Sequence, residues 1–375
     1  MKPIQMVDLK SQYQQLKSEI DAAIAEVLET TTYINGPAVK SFQENLEKYL
    51  SVKYVIPCAN GTDALQIALM ALGLKPGDEV IVPAFTYVAT AEVAALLGLK
   101  IKMTDVDANT FNITAKHIEA AITEKTKAIV PVHLFGQSCD MEPILALAKK
   151  YNLFVVEDNA QAIGADYTFS DASVLKTGTM GNIGCTSFYP SKNLGAYGDG
   201  GAMYCNDELL AAELRMIANH GQKRRYYHDV IGCNSRLDSI QAALLEVKLR
   251  YLDEFSSARQ KAAAYYDLAL SNVAGVKIPV RQHNSTHVFH QYTLQVPAEK
   301  RDALQDYLKE KGIPTMIYYP LPLNEQDAFK DCAVKASELP VTELLCKTVI
   351  SLPMHSELEE EQLAYICHEI KRFFS

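Results

Sequence analysis

Apolar residues recur every three to four positions between residues 11 and 30, at Leu16, Ile20, Ala23, Ile24 and Val27, and a second amphipathic stretch runs from 38 to 50. Both predict helices. Beyond them short apolar runs at 54–56, 79–82, 100–103, 128–132 and 154–156 are separated by helical patterns at 62–72, 87–97, 114–122 and 141–150. Strand–helix–strand repetition with near-continuous apolar strands predicts a mostly parallel sheet covered on both faces.

Near residue 180 the pattern changes to strands at 184–189 and 202–205, joined by the Gly-rich segment Gly195-Ala196-Tyr197-Gly198-Asp199-Gly200-Gly201. Strands this close in sequence leave no room for a helical crossover, so an antiparallel strand is expected here. Helical patterns at 207–219 and 235–271 follow, the second long enough to link domains. Then come an alternating strand through Val288, Phe289, Tyr292 and Leu294, a helix at 298–311, an extended run at 315–320 and a helix at 358–373. The expectation is an α/β protein with a large mixed, mostly parallel sheet domain over 1–250, including the N-terminal helices, and a small α+β domain over 251–375.

The chain has 375 residues, 48% of them hydrophobic and 22% charged, enough to bury a large core and too long for one ordinary compact domain. A formal charge of -9 argues against a nucleic-acid or anionic-membrane surface, because both demand clustered Lys and Arg. The eight Cys form no CxxC pair, and several sit inside apolar runs, a pattern that predicts buried reduced thiols. The first residues lack an apolar signal core, and no stretch approaches a membrane span. The expected location is the cytoplasm.

Open α/β sheets bind ligands at the carboxyl ends of their strands. Polar residues follow the apolar runs at four places. The first, Cys58-Ala59-Asn60-Gly61-Thr62-Asp63, opens a helix with small residues and a hydroxyl, which suits a phosphate or an ordinary N-cap. The second, Phe85-Thr86-Tyr87, offers two aromatics for stacking on a flat ring or for the core. At the third, Glu157-Asp158-Asn159-Ala160-Gln161, a carboxylate ends a buried strand, where it needs a partner or serves as a cap. The fourth is Thr186-Ser187-Phe188-Tyr189-Pro190-Ser191-Lys192-Asn193-Leu194-Gly195. A lysine in such a turn is surface, or, in a dry cleft, a nucleophilic amine of depressed pKa. What decides is the combination. A phosphate cup, an aromatic plane, a buried carboxylate and an amine on one sheet are the parts that pyridoxal 5'-phosphate requires.

With Gly198-Asp199-Gly200-Gly201 and Gly232-Cys233-Asn234-Ser235-Arg236-Leu237-Asp238, these motifs make the sequence resemble the DegT/DnrJ/EryC1/StrS family of sugar aminotransferases, from Asp8 to the C-terminus. The resemblance implies the type I aminotransferase fold and a homodimer with active sites shared between subunits. It implies that Lys192 binds the cofactor covalently and shuttles the proton, and that Asp158 pairs with the pyridine nitrogen while Gln161 approaches the ring hydroxyl. Gly61, Thr62 and Ser187 would hold the phosphate, with Asn234 of the other subunit. Tyr87 would stack on the ring, with Phe85 the alternative. Relatives that carry His at the Lys192 position are dehydratases, so transamination is expected.

Within the family, Cys58 to Leu65, Phe85 to Thr90, His220-Gly221-Gln222, Arg224 to His228 and Asn234 to Ala242 most resemble the members that aminate UDP-2-acetamido-2-deoxy-3-oxo-glucuronate with L-glutamate, for surface polysaccharide such as O-antigen. Two departures stand out: Tyr318-Tyr319-Pro320 where those enzymes read His-Tyr-Pro, and a longer stretch at 170–176. Arg236, Tyr318 and Tyr319 are the candidate sugar contacts, with a structural ion pair to Asp238 the alternative for Arg236. The basic loop Lys223-Arg224-Arg225 is either solvated or a nucleotide diphosphate site. A dTDP- or UDP-linked 3-keto or 4-keto 6-deoxyhexose is the alternative substrate, and a non-catalytic binding protein of the same fold is the alternative of another class. A nicotinamide dehydrogenase is disfavoured because no GxGxxG follows the first strand. His220, His228 and Cys233 have no tetrahedral zinc spacing, so no metal is expected.

Overall fold

A computed structural model describes residues 2–333 and 338–375. Two N-terminal helices, α1 (Leu9–Thr30) and α2 (Pro37–Leu50), precede the sheet. The first starts where the Asp8 side chain accepts from the Ser11 N–H, the second with Pro37 in its first turn. Strands and helices then alternate: β1 (Tyr54–Cys58), α3 (Gly61–Ala71), β2 (Glu79–Pro83), α4 (Ala89–Leu96), β3 (Lys100–Thr104), α5 (Ala115–Ala121), β4 (Thr126–Ile129), α6 (Met141–Tyr151) and β5 (Phe154–Asp158). A hairpin, β6 (Asp166–Thr168) and β7 (Val174–Lys176), leads to β8 (Ile183–Ser187), β9 (Gly201–Cys205) and α7 (Glu208–Ala218). The longer stretch at 170–176 is the tip and second strand of that hairpin.

Seven strands form one sheet in the order β1-β9-β8-β5-β4-β2-β3. Only β9 runs against the rest, paired antiparallel to β1 and β8, while the other pairs are parallel. The two faces bury separate apolar clusters, one around α3, α4 and α7, the other around α1, α2 and the later helix α8 (Ser239–Leu249) or around α5 and α6. A small exposed hairpin, β10 (Gln222–Arg224) and β11 (Tyr227–His228), precedes α8.

The helical pattern at 235–271 is two helices, α8 and α9 (Leu252–Leu270), separated at Arg250 and Tyr251. After α9 come β12 (Tyr292–Gln295), α10 (Ala298–Glu310), α11 (Pro340–Thr348), β13 (Val349–Leu352) and α12 (Glu360–Phe374). The strand expected from Val288 is shorter because Phe289 has a positive φ of 45°, which interrupts extended backbone. The extended run at 315–320 pairs with β13 only through Met316 and Ser351. An apolar cluster unites α9, β12, α10, β13 and α12, and Ile4 joins it from the N-terminus. Leu323, Phe329 and Leu339 instead join the core of the large sheet. No disulfide forms, and six of the eight thiols are buried.

Candidate active site

The chemistry gathers at the carboxyl ends of β1, β2, β5 and β8. Strand β5 ends in two carboxylates that point to opposite sides, and their surroundings separate their roles. Glu157 is fully buried and satisfied by the ring Nε2 of His133 at 2.8 Å and by the N–H groups of Gly178 at 2.8 Å and Met180 at 2.7 Å. Asp158, also buried, accepts from the Thr90 hydroxyl at 2.7 Å and the Ala160 N–H at 3.1 Å and forms no salt bridge among the described residues. A buried carboxylate without a hydrogen-bonded cation is costly, and among the described residues Asp158 has none, although it acts electrostatically on Lys192.

Lys192 lies in the turn after β8, half-buried. Protein crowds its amine and draws the pKa down to about 8, although the charge of Asp158 pulls it the other way. Beside it stands His290, 5% exposed, whose Nδ1 has no partner among the described residues and whose protonation is opposed by burial first, then by Lys192 and Arg259. The neutral amine near pH 8 is the form that attacks an aldehyde.

Gly61 opens α3 directly against Ser187: a Cβ there would lie 2.7 Å from the Ser187 Cβ. Only glycine permits this approach, which brings the first-turn N–H groups of α3 beside the serine hydroxyl. Thr62 adds its hydroxyl, and Asn60 caps the helix by accepting from the Asp63 N–H at 2.8 Å. First-turn N–H groups lack intrahelical acceptors and favour an anion.

Gln161 is buried; its Oε1 accepts from the Phe135 N–H at 2.8 Å and its Nε2 donates to the Tyr319 hydroxyl at 3.2 Å. Tyr87 is 57% exposed and its ring centroid lies 6.5 Å from that of Tyr319. Phe85, by contrast, is 1% exposed in an aromatic cluster with Phe111 and Phe135, so it does not offer a free face for stacking. Tyr318 is half-buried against Tyr319.

Among the described residues no hydrogen bond or ion pair joins Asn234, Arg236 or the basic loop to Lys192, although Ser235 between them accepts from the Ala59 N–H at 3.0 Å, beside the start of α3. Asn234 is exposed, while Arg236 is half-buried and makes no ion pair with Asp238 or any other described residue. In the basic loop, Arg224 packs over Tyr227 with 3.7 Å from guanidinium carbon to ring centroid, and Lys223 pairs with Asp229 at 3.6 Å. No group of three His, Cys, Asp or Glu side chains among the described residues is placed to hold a metal.

The DegT/DnrJ/EryC1/StrS aminotransferase profile matches residues 14–371. The chain belongs to the DegT/DnrJ/EryC1/StrS aminotransferase family. This aminotransferase is 48% identical to the UDP-2-acetamido-2-deoxy-3-oxo-D-glucuronate aminotransferase of Pseudomonas aeruginosa over 97% of its own length and 98% of the relative's. It is also 48% identical to a protein named pleiotropic regulatory protein from Geobacillus stearothermophilus, over 99% and 98% of the two chains. A solved family aminotransferase from Brucella abortus superposes with a TM-score of 0.94 at 42% identity, covering 99% of this chain and 100% of that one. NtdA of Bacillus subtilis, solved with bound pyridoxamine phosphate, superposes with a TM-score of 0.88 at 31% identity, over 96% and 82%. The aminotransferase has the type I fold and uses pyridoxal phosphate. The residues present fit that group, since Asp158 makes no salt bridge among the described residues and the glycine at position 61 lets the first turn of α3 close on Ser187, an approach a Cβ would block.

Thr90 and His290 were not singled out from sequence. Thr90 is the last residue of the Phe85–Thr90 motif, and its distance from Asp158 along the chain hid their contact. His290 gave no signal beyond its place in an apolar strand.

Proposed function

We propose that this aminotransferase moves an amino group from L-glutamate to C3 of UDP-2-acetamido-2-deoxy-3-oxo-D-glucuronate in the cytoplasm, supplying a diamino-sugar uronate for surface polysaccharide such as O-antigen. The observation that carries the chemistry is the electrostatic coupling of a half-buried Lys192 amine, drawn to a pKa of about 8, with the buried Asp158 carboxylate, which makes no salt bridge among the described residues. The choice of sugar is supported by the 48% identity to the Pseudomonas enzyme over nearly the whole chain.

Pyridoxal phosphate, when bound, supplies an electron sink for the carbon that loses its proton. In this reading Lys192 holds the aldehyde and then, as a free amine, carries the proton at the substrate carbon. Asp158 keeps the ring nitrogen protonated, and the Thr90 hydroxyl aims its carboxylate. Gly61, Thr62 and Ser187 hold the phosphate, Tyr87 covers one ring face, and Gln161 faces the ring hydroxyl. Residues 1–250 act as the large cofactor domain and 251–375 as the small one.

The site is completed in a homodimer. Asn234 is exposed, and near it stand Ile231 at 87% exposure and Tyr226 at 75%, large apolar side chains suited to a subunit interface. Asn234 of the partner subunit then reaches the phosphate. Arg236, without an ion-pair partner among the described residues, serves the C6 carboxylate, and Tyr318 and Tyr319 offer hydroxyls to the sugar. The test follows the cofactor's interconversion between aldehyde and amine forms while a panel of amino and keto nucleotide sugars is offered. Rapid conversion by the UDP-linked 3-amino uronate supports the reading; a preference for neutral 6-deoxy sugars overturns the substrate and leaves the aminotransferase.

A further inference from the structure

Helix α8 carries Gln241 and Lys248, seven residues and so two turns apart, on one face. Both reach the segment that follows Lys192. Gln241 accepts from the Tyr197 N–H at 2.9 Å and donates to the Tyr197 carbonyl at 3.4 Å. The Lys248 ammonium donates to the Gly195 carbonyl at 2.6 Å and lies 5.1 Å from the centroid of the Tyr197 ring.

Lys248 is 1% exposed and has no carboxylate partner among the described residues. Burial of an unpaired ammonium costs stability, and a hydrophobic residue of similar volume there would be neutral or better. Its neighbours Leu244, Leu245, Val247 and Leu249 are the apolar residues that such a buried helix ordinarily carries throughout. What the lysine holds is therefore the informative point. The turn it grips is already tight: the Lys192 N–H donates to the Tyr189 carbonyl at 2.8 Å and the Ala196 N–H to the Phe188 carbonyl at 2.7 Å. At Gly195 a Cβ would come within 2.3 Å of the Pro190 carbonyl oxygen, so only glycine allows the turn to close this tightly on itself. From the other side, Asn193 donates to the Val288 carbonyl at 2.9 Å.

We propose that Lys248, together with Gln241, is a positioning residue for Lys192: two side chains of one helix pin the turn at Gly195 and Tyr197 and so fix where the Lys192 amine is held. This rests on Lys192 being the cofactor-binding lysine. Burial, reinforced by Arg259, brings the Lys248 pKa down to about 7. Ammonium and neutral amine both carry N–H donors, so the bond to Gly195 is available in either state. Because α8 begins at Ser239, just after Asn234 and Arg236, the clamp also ties the Lys192 turn to the segment proposed to reach the partner's site.

Lys248→Met keeps an unbranched side chain and removes the donor. The expected result is a kcat about 10- to 100-fold lower, the range produced by misplacing a reacting group by about 1 Å, with KM for the nucleotide sugar unchanged within about twofold. Cofactor-free Lys248→Met captures added cofactor more slowly in the same proportion, while its thermal midpoint stays within about 4 °C of wild type. Gln241→Ala shows a smaller loss of the same kind, and the double variant is non-additive because both side chains hold one turn. If Lys248→Met does not fold, Gln241→Ala carries the test alone. Normal kcat and normal cofactor capture in the folded variant overturn the proposal, as does a kcat loss matched by an equal rise in KM or a collapse of the midpoint. Lys192→Ala is run alongside: if it still forms the visible cofactor band and turns over, the Lys192 assignment has failed, and the clamp has nothing to position.

Discussion

Two adjacent carboxylates on β5 show how surroundings assign roles to residues that look alike in sequence. Glu157 is answered by His133 and backbone N–H groups, while among the described residues Asp158 accepts hydrogen bonds from the Thr90 hydroxyl and the Ala160 N–H alone. Asp158→Asn is therefore expected to lower kcat by about 10- to 100-fold, equivalent to the ~1.5–3 kcal/mol of a hydrogen bond to a charged group, with cofactor affinity falling much less. An unimpaired variant, measured by single-turnover kinetics, would mean the wrong carboxylate has been chosen. Lys192 makes a pH-dependent prediction. Its pKa is lowered to about 8, so the neutral fraction of the amine rises as pH climbs through that value. Capture of cofactor by the cofactor-free protein should accelerate between about pH 7 and 9 and level off above. The same shift means the unfolded chain binds this proton more tightly, so Lys192 lowers stability below about pH 8 and the deficit disappears as pH rises toward the unfolded value of 10.5. A flat capture rate across that window would show an amine without the depressed pKa.

At the scale of elements, the seven strands of the large sheet were legible because each is a short apolar run bounded by polar or small residues, and the antiparallel placement of β9 followed from its short link to β8. The break between α8 and α9 was not, since apolar spacing continues through Leu249 and Leu252 and nothing at Arg250-Tyr251 resembles a stop signal. The hairpins β6–β7 and β10–β11 were missed because two- and three-residue strands carry no period. The candidate site was readable only as a set of strand-end motifs, whereas Thr90, His290 and Lys248 meet their partners through contacts between distant parts of the chain, which local sequence does not signal. Arg236 follows β10–β11 in the segment that enters α8, half-buried between the buried Ser235 and Leu237. If it grips a C6 carboxylate, Arg236→Lys exchanges a bidentate contact for a point charge. KM for the uronate should then rise about tenfold, with the matching neutral hexose within about twofold. Equal losses on both sugars, from parallel steady-state titrations, would make Arg236 structural or nucleotide-binding.

For the whole molecule, one sheet supplies every proposed cofactor contact except Asn234, which is exposed in the single chain and is proposed to act from a partner subunit. Activity should track a dimer in sedimentation under assay conditions, and full turnover from a monomer would contradict the shared site. Everything in this picture depends on Lys192 as the group that binds the cofactor and moves the proton. The most direct measurement compares wild type and Lys192→Ala by visible absorption and turnover after reconstitution with pyridoxal phosphate. Wild type should show the lysine-bound band in the visible and lose it when an amino donor is added. Lys192→Ala should fold, lack that lysine-bound band and turn over about a thousandfold more slowly or not at all. A persistent lysine-bound band together with substantial transamination in Lys192→Ala would contradict the account.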